Sequence, residues 1–303
     1  MKKLCYIIAA SALALVTMFT GCDKGEKVKE PKVHYIVDGE ETSNAPDKNY
    51  YKAVSIESNS EEASVVWDVA SWSLETSNIS GKEVINIYFE KQDKPVTVDG
   101  IGFNSLQDAF DYIGTGNKRV YLTKDVEGAG VSAVGSEINI ELNGFTIDGK
   151  GQDTIINNGT MYIFGSGVIT NTVNGEYSKS IVNYGNLTLQ GVEVTNTTDS
   201  VTVWNSENGS STLTIKDSNI SHIKSSVMTI VNSGSMEIVS GTVTGTGDSF
   251  HPTLYNNRGT SVVTLTGGNI ANTADGYAIY NESGSVVYGA GTYGDSYNMP
   301  AVE

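Results

Sequence analysis

The stretch S-I-V-N-Y-G-N-L-T-L-Q-G, Ser180–Gly191, returns elsewhere in the chain with little change. It reads T-I-I-N-N-G-T-M-Y-I-F-G from Thr154 and T-I-V-N-S-G-S-M-E-I-V-S-G from Thr229. Alignment places six triplets in one column: Ile155-Ile156-Asn157, Ile181-Val182-Asn183, Val203-Trp204-Asn205, Ile230-Val231-Asn232, Leu254-Tyr255-Asn256 and Ile279-Tyr280-Asn281. Their asparagines are 26, 22, 27, 24 and 25 residues apart. Shortly after each asparagine comes a glycine: Gly159, Gly185, Gly209, Gly234, Gly259 and Gly284. An alternating strand follows, as in Met161/Ile163 and Leu187/Leu189, and then a third apolar position at Ile169, Val194, Ile220, Val243 and Ile270. The segment S-E-I-N-I-E-L-N-G-F-T-I from Ser136 fits the same frame with Ile140, Leu142 and Ile147.

A unit of three very short strands separated by bends cannot bury its own apolar side chains, so it must coil and stack on copies of itself. The reading is a parallel β-solenoid whose coils rise about 4.8 Å each, so that about seven or eight of them make a rod on the order of 35–40 Å long. Composition agrees with an all-β chain, because 33 glycines, 5 prolines and 18% charged residues favour strands and tight turns. Each column asparagine stands two residues from an inward apolar side chain, which points it inward as well. A buried amide needs partners, and asparagine stacked on asparagine supplies them through the NH₂ and the carbonyl of the neighbouring coil. The rival explanation is a left-handed turn conformation at each asparagine. Both are structural roles.

This pattern, with L-N-G-F-T-I at Leu142–Ile147, resembles right-handed parallel β-helix proteins of the pectate-lyase-like superfamily, especially adhesin-like surface proteins. The resemblance covers about residues 120–295 and implies a right-handed solenoid, but no single activity, since that superfamily holds lyases, hydrolases and stalks. Upstream, Ser105 can cap a helix with Asp108 in its first turn and Leu106, Ala109, Phe110 and Ile113 on one face, which Gly114 and Gly116 can stop. A short amphipathic helix in front of a repeat array suits a lid on the open end of the stack.

The chain begins M-K-K-L-C-Y-I-I-A-A-S-A-L-A-L-V-T-M-F-T-G-C, two lysines followed by an apolar run that is short for a bilayer span. Its end, M-F-T-G-C, resembles the lipobox of bacterial lipoproteins, with Phe19 where that family usually has Leu. The resemblance implies removal of residues 1–21, a diacylglyceryl group on Cys22, and a protein anchored by lipid to the outer face of a bacterial membrane. Cys5 and Cys22 are the only cysteines, so no disulfide is expected in the mature body. Removing residues 1–21 takes away Lys2 and Lys3 and no acid, which leaves 17 basic against 35 acidic residues, or −18. That charge argues against nucleic acid as a partner and against electrostatic docking on anionic lipid.

Residues 22–33 read as a flexible tether and residues 34–94 as a small β-sandwich-like module with Trp67, Trp72, Leu74, Ile87 and Phe89 as core candidates. Its W-D-V-A-S-W-S-L-E-T-S-N-I pattern resembles small β-modules that precede repeat regions in surface proteins of gut bacteria. Residues 95–303 form the solenoid with its cap.

Catalytic constellations are not legible. Arg258 falls in an expected turn without an acid cluster in neighbouring coils, and Asp199, Asp217, Asp248, Asp275 and Asp295 occupy different phases of the repeat. His34, His222 and His251 show no metal-ligand spacing, His222 replacing the asparagine of a T-N-T corner. No phosphate loop, nucleophile elbow or dinucleotide fingerprint occurs, and no cofactor is expected. What remains is the middle residue of each triplet, expected to point outward: Ile156, Val182, Trp204, Val231, Tyr255 and Tyr280. Exposed Trp204, Tyr255 and Tyr280 would offer stacking platforms to the rings of a polysaccharide or a host-surface glycan, unless a loop covers them or they serve only strand formation. The expectation is a non-enzymatic adhesin or glycan-binding protein. A β-helix lyase or hydrolase, and a passive scaffold or assembly subunit whose last coil docks a protein partner, are the alternatives.

Overall fold

Three-residue strands are too short to hold a sheet alone, and this chain stacks them. The computed structural model describes residues 30–60, 64–69, 71–77, 83–206 and 211–298; the expected signal segment with Cys5, the lipidation candidate Cys22 and Gly209 lie outside these. The chain divides into two units, one running to Asp93 and including Asp99–Ile101, the other made of Lys94–Val98 and everything from Gly102 onward.

The larger unit is an all-β parallel solenoid of about seven turns. The first strands of successive coils pair in parallel and in register, Ile155 beside Ile181, Val203, Ile230, Leu254 and Ile279. Second strands stack Met161, Leu187, Leu213, Met236 and Val263. Third strands stack Ile147, Ile169, Val194, Ile220, Val243 and Ile270. The third strands make an eight-stranded sheet, while first and second strands merge into one of sixteen. They merge because Leu254–Leu265 and Ile279–Tyr288 run on through the corner where earlier coils bend. Arg258, expected in a turn, therefore lies inside a strand; the corner survives as register shifts between Asn256 and Asn257 and between Asn257 and Val262.

Because each side chain meets its own kind above and below, the inward columns fuse into one core, from Val96 through Ile140, Ile163, Leu189, Ile215 and Ile238 to Ile279. Its upstream end is closed by helix α1, Leu106–Ile113, whose Leu106, Ala109, Phe110 and Ile113 are buried in it. The Ser105 hydroxyl accepts the Asp108 N–H at 3.1 Å, which starts the helix, and Gly114 ends it at a φ of 57°. At Gly159, Gly185, Gly234 and Gly284 the glycine column has a steric cause, whereas Gly259 stands in open space. A Cβ on Gly185 would lie 2.0 Å from the Gly159 carbonyl of the coil before, so the stacked bends touch backbone to backbone.

The column asparagines form a continuous amide ladder. Asn157 Nδ2 donates to Asn183 Oδ1 at 2.8 Å, Asn183 to Asn205 at 2.8 Å, Asn205 to Asn232 at 2.7 Å, Asn232 to Asn256 at 2.8 Å and Asn256 to Asn281 at 2.7 Å. Most of them turn the second N–H to a carbonyl at the next coil's bend, as Asn205 does to Ser235 O at 2.9 Å. None of the six has a positive φ, so the left-handed explanation is excluded.

The smaller unit is a mixed four-stranded sheet in the order Glu40–Thr42, Lys32–Val37, Val84–Lys91, Tyr51–Ser58, with a hairpin, Ser64–Asp68 and Ser73–Ser77, sharing its core. Trp67 packs edge-on against Trp72 and Phe89 at 5.2 and 5.4 Å. Lys32 and Val33, expected in the tether, open the first strand, because their backbone pairs with Val84 and Ile85.

Replacing Asn205 by Ala should destabilise the fold by about 2–4 kcal/mol, since one N–H of the Asn183 amide and the side-chain oxygen of Asn232 then lose their buried partner. The same change at Asn281, 8% exposed and donating only to Gly284 O at 3.5 Å, should cost clearly less. Denaturant unfolding followed by far-ultraviolet circular dichroism measures the difference; equal losses would show that the ladder does not carry it.

Candidate functional site

The site lies along the edge where each third strand hands over, through a loop, to the first strand of the next coil. Two columns build this edge. The residue before five of the six triplets carries a buried hydroxyl: Thr154, Ser180, Thr202, Thr229 and Thr253. These hydroxyls donate to carbonyls of the third strands, Thr154 to Thr170 O at 2.7 Å, Thr202 to Ser221 O at 2.9 Å and Thr253 to Ala271 O at 3.0 Å, and so tie two walls of the coil together. Reading from the sequence missed this column, although Thr or Ser precedes five of the six triplets.

The other column ends the third strands: Asn171, Asn196, His222 and Asn272. Asn196 Oδ1 accepts the Thr198 N–H at 2.7 Å and its Nδ2 donates to Ser178 O at 2.8 Å. His222 does both jobs with one ring, Nδ1 accepting the Lys224 N–H at 3.0 Å and Nε2 lying 3.0 Å from Ser200 O. A ring nitrogen that accepts cannot carry a proton, so the Nε2–H tautomer is present and the imidazole is neutral. Burial pushes its pKa below the ordinary histidine value, and Lys224 adds to this; the Ser200 carbonyl and Asp199 act the other way.

On this scaffold sit the aromatic residues. Trp204, Tyr255 and Tyr280 are half-buried rather than exposed, and Val182 of the same column is 1% exposed. The column expected to point outward is therefore closed at Val182 and partly covered at the three rings, where neighbouring side chains lie against them. The Lys179 ammonium stands 5.3 Å from the Trp204 ring centre and 5.9 Å from that of Tyr177, and Tyr184 leans on Trp204 at 6.5 Å. Lys179 is held from behind, its N–H bonded to Asp153 Oδ1 at 2.8 Å and its ammonium 3.7 Å from the same carboxylate. Further along, Tyr280 meets Tyr255 at 5.8 Å, Tyr277 at 6.1 Å and Tyr297, stacked, at 4.9 Å. The Tyr255 hydroxyl donates to Glu282; burial, then that bond and the carboxylate charge, push its pKa well above the ordinary tyrosine value, so it stays a donor.

Beside Trp204 the loops leave an open depression of about 310 Å³. Val201, Val227 and Met228 line it with apolar surface, and Lys179, Asp199, Ser226 and His251 with polar groups. Asp199 receives the Lys224 ammonium at 2.6 Å and the Asn174 amide at 2.8 Å, which hold its carboxyl below the usual range. His251 Nδ1 lies 2.7 Å from Asp248. Elsewhere Asp217 is bonded to Ser240 at 2.8 Å, Asp275 and Asp295 are exposed, and His34 pairs with Glu41. Among the described residues no three His, Cys, Asp or Glu side chains gather as a metal site.

No family model, no curated protein and no solved structure matches this chain.

His222 yields a pH test. Its folded pKa is depressed, so the unfolded chain takes up a proton near pH 6.5 that the native corner refuses, and stability falls as pH drops through that value by up to about 1.4 kcal/mol per unit. His222→Asn, which copies Asn196, lacks this loss. Between pH 7.5 and 5 the unfolding midpoint of the parent should therefore fall more steeply than that of the variant; parallel curves would mean that His222 is not neutral in the fold.

Proposed function

We propose that this is a lipid-anchored bacterial surface protein of the pectate-lyase-like β-helix type that acts without catalysis, binding glycans through the loop edge that carries Trp204, Tyr255 and Tyr280. One observation carries the reading: on that edge indole and phenol rings repeat along the solenoid axis, partly exposed and held by Lys179 and Glu282. Rings that are fixed but not sealed suit sugars, whose C–H faces lose apolar area to a ring while their hydroxyls stay wet. The acidic balance is consistent with attachment through acyl chains rather than through charge, and two chains suffice for stable anchoring.

A lyase or hydrolase is the reading from another class. Against it, the Asp199 charge is taken up by Lys224 and the Asp153 charge faces Lys179, so neither is an uncommitted base. A reducing-end or unsaturated-product assay on polysaccharides separates the two readings, and the binding reading expects no product above background.

Changing Trp204, Tyr255 and Tyr280 together to Ala should lower glycan binding at least about tenfold, as expected for losing a few kcal/mol of ring stacking, with the β-sheet circular dichroism unchanged. Undiminished binding would remove the site. Cys22→Ser should abolish incorporation of labelled palmitate and shift the protein from the membrane fraction to the soluble one; a variant that stays in the membrane fraction would remove the anchor.

A further inference from the structure

We infer that the depression beside Trp204 is a subsite for a neutral sugar unit, and that uronate, sulfated and sialylated sugars are excluded from it; this rests on the glycan-binding reading above. Its lining is amphipathic in the way a sugar is. Val201, Val227 and Met228 supply apolar surface, and Asp199, Ser226 and His251 supply polar partners at the rim. Pockets that combine an apolar floor with a few placed polar groups orient one face of a small ligand. A pyranose offers C–H groups to the first set and hydroxyls to the second.

Charge decides the class of sugar. Lys179 faces Asp153 at 3.7 Å, with side chains 18% and 10% exposed, Lys224 faces Asp199 at 2.6 Å, and His251 faces Asp248 at 2.7 Å. Each of these three basic groups thus has its own carboxylate, so that three carboxylates stand against two ammonium groups and one imidazole, while His222 at the same edge is neutral. A bound anion would meet cations whose charge a carboxylate already balances, so it would gain little attraction from them. It would also enter the field of a chain whose formal net charge is −16. A neutral sugar is subject to neither effect, and the Asp199 carboxylate can accept a hydroxyl while keeping Lys224.

Lys179 joins this subsite to the aromatic column. It lines the depression, and its ammonium stands 5.3 Å from the Trp204 ring. Lys179 is therefore the residue that the depression and the Trp204 ring share, and in this proposal a glycan longer than one unit runs past it from one to the other. This arrangement makes the depression a specificity element and Trp204 an affinity element.

The test uses the full exported chain in calorimetry with cellohexaose, xylohexaose and lacto-N-tetraose as neutral probes, and with hexagalacturonate, a heparin hexasaccharide and sialyllactose as acidic ones, at low and at high salt. Expected is binding of at least one neutral probe, changing less than about twofold with salt because no net charge is paired, and no binding of the acidic set. Ser226→Trp, a change at an exposed position that fills the depression, should weaken that binding about tenfold or more while the melting curve is kept. Binding confined to acidic probes overturns the inference and leaves the glycan-binding reading standing. Neutral binding that Trp204→Ala removes and Ser226→Trp leaves intact also overturns it. Binding of none of the six overturns the glycan-binding reading and this inference with it.

Discussion

A chain of buried amides, from Asn157 to Asn281, sets the register of every coil against the next. From Asn157 to Asn256 each NH₂ donates to the next asparagine 2.7–2.8 Å away, and a coil slipped by one residue would point its amide outward and an outward side chain into the core. The apolar columns oppose a one-residue slip in the same way, whereas a two-residue slip keeps the pleat and would set an amide against an aliphatic side chain, which the ladder forbids. Polar groups in a low-dielectric interior are costly when unpaired, and that cost turns a permissive stack into a single structure.

The same logic runs at the opposite corner in other chemistry. The hydroxyls of Thr154, Ser180, Thr202, Thr229 and Thr253 close each coil by reaching the carbonyls of the third strand. Next to them Asn196 and Asn272 each accept an N–H two residues on, and His222 reproduces this with Nδ1. A histidine can replace an asparagine here because the neutral ring also has one acceptor and one donor, roughly where the amide has them. The substitution makes one corner of the solenoid sensitive to acid, and that corner carries Lys224, the partner of Asp199 at the depression.

The aromatic edge follows from what the stack leaves unfilled. Inward positions are bound by the packing and the outward second-strand positions are mostly polar, whereas the loops between coils vary in length and composition. Loops on a rigid scaffold are where binding residues collect. Trp204, Lys179 and the depression all lie where a first strand meets such a loop, so the spacing of the coils sets their height along the axis while the loops set their exposure.

The repeat alone determined the stacking and the direction of the inner side chains, and the amphipathic spacing after Ser105 determined the helix over Leu106–Ile113 and its cap, because each depends on short-range periodicity and on hydrophobic pattern. The preceding Thr or Ser was equally visible in the letters, but its role depends on a carbonyl fifteen to nineteen residues away. Only tertiary structure decided that Val182 is buried, that Lys179 lies over Trp204, that Tyr280 stacks on Tyr297, and that three basic groups at one edge each face a carboxylate. Those are contacts between loops of different coils, and a period in sequence carries no information about how irregular segments of unequal length fold over the faces it predicts.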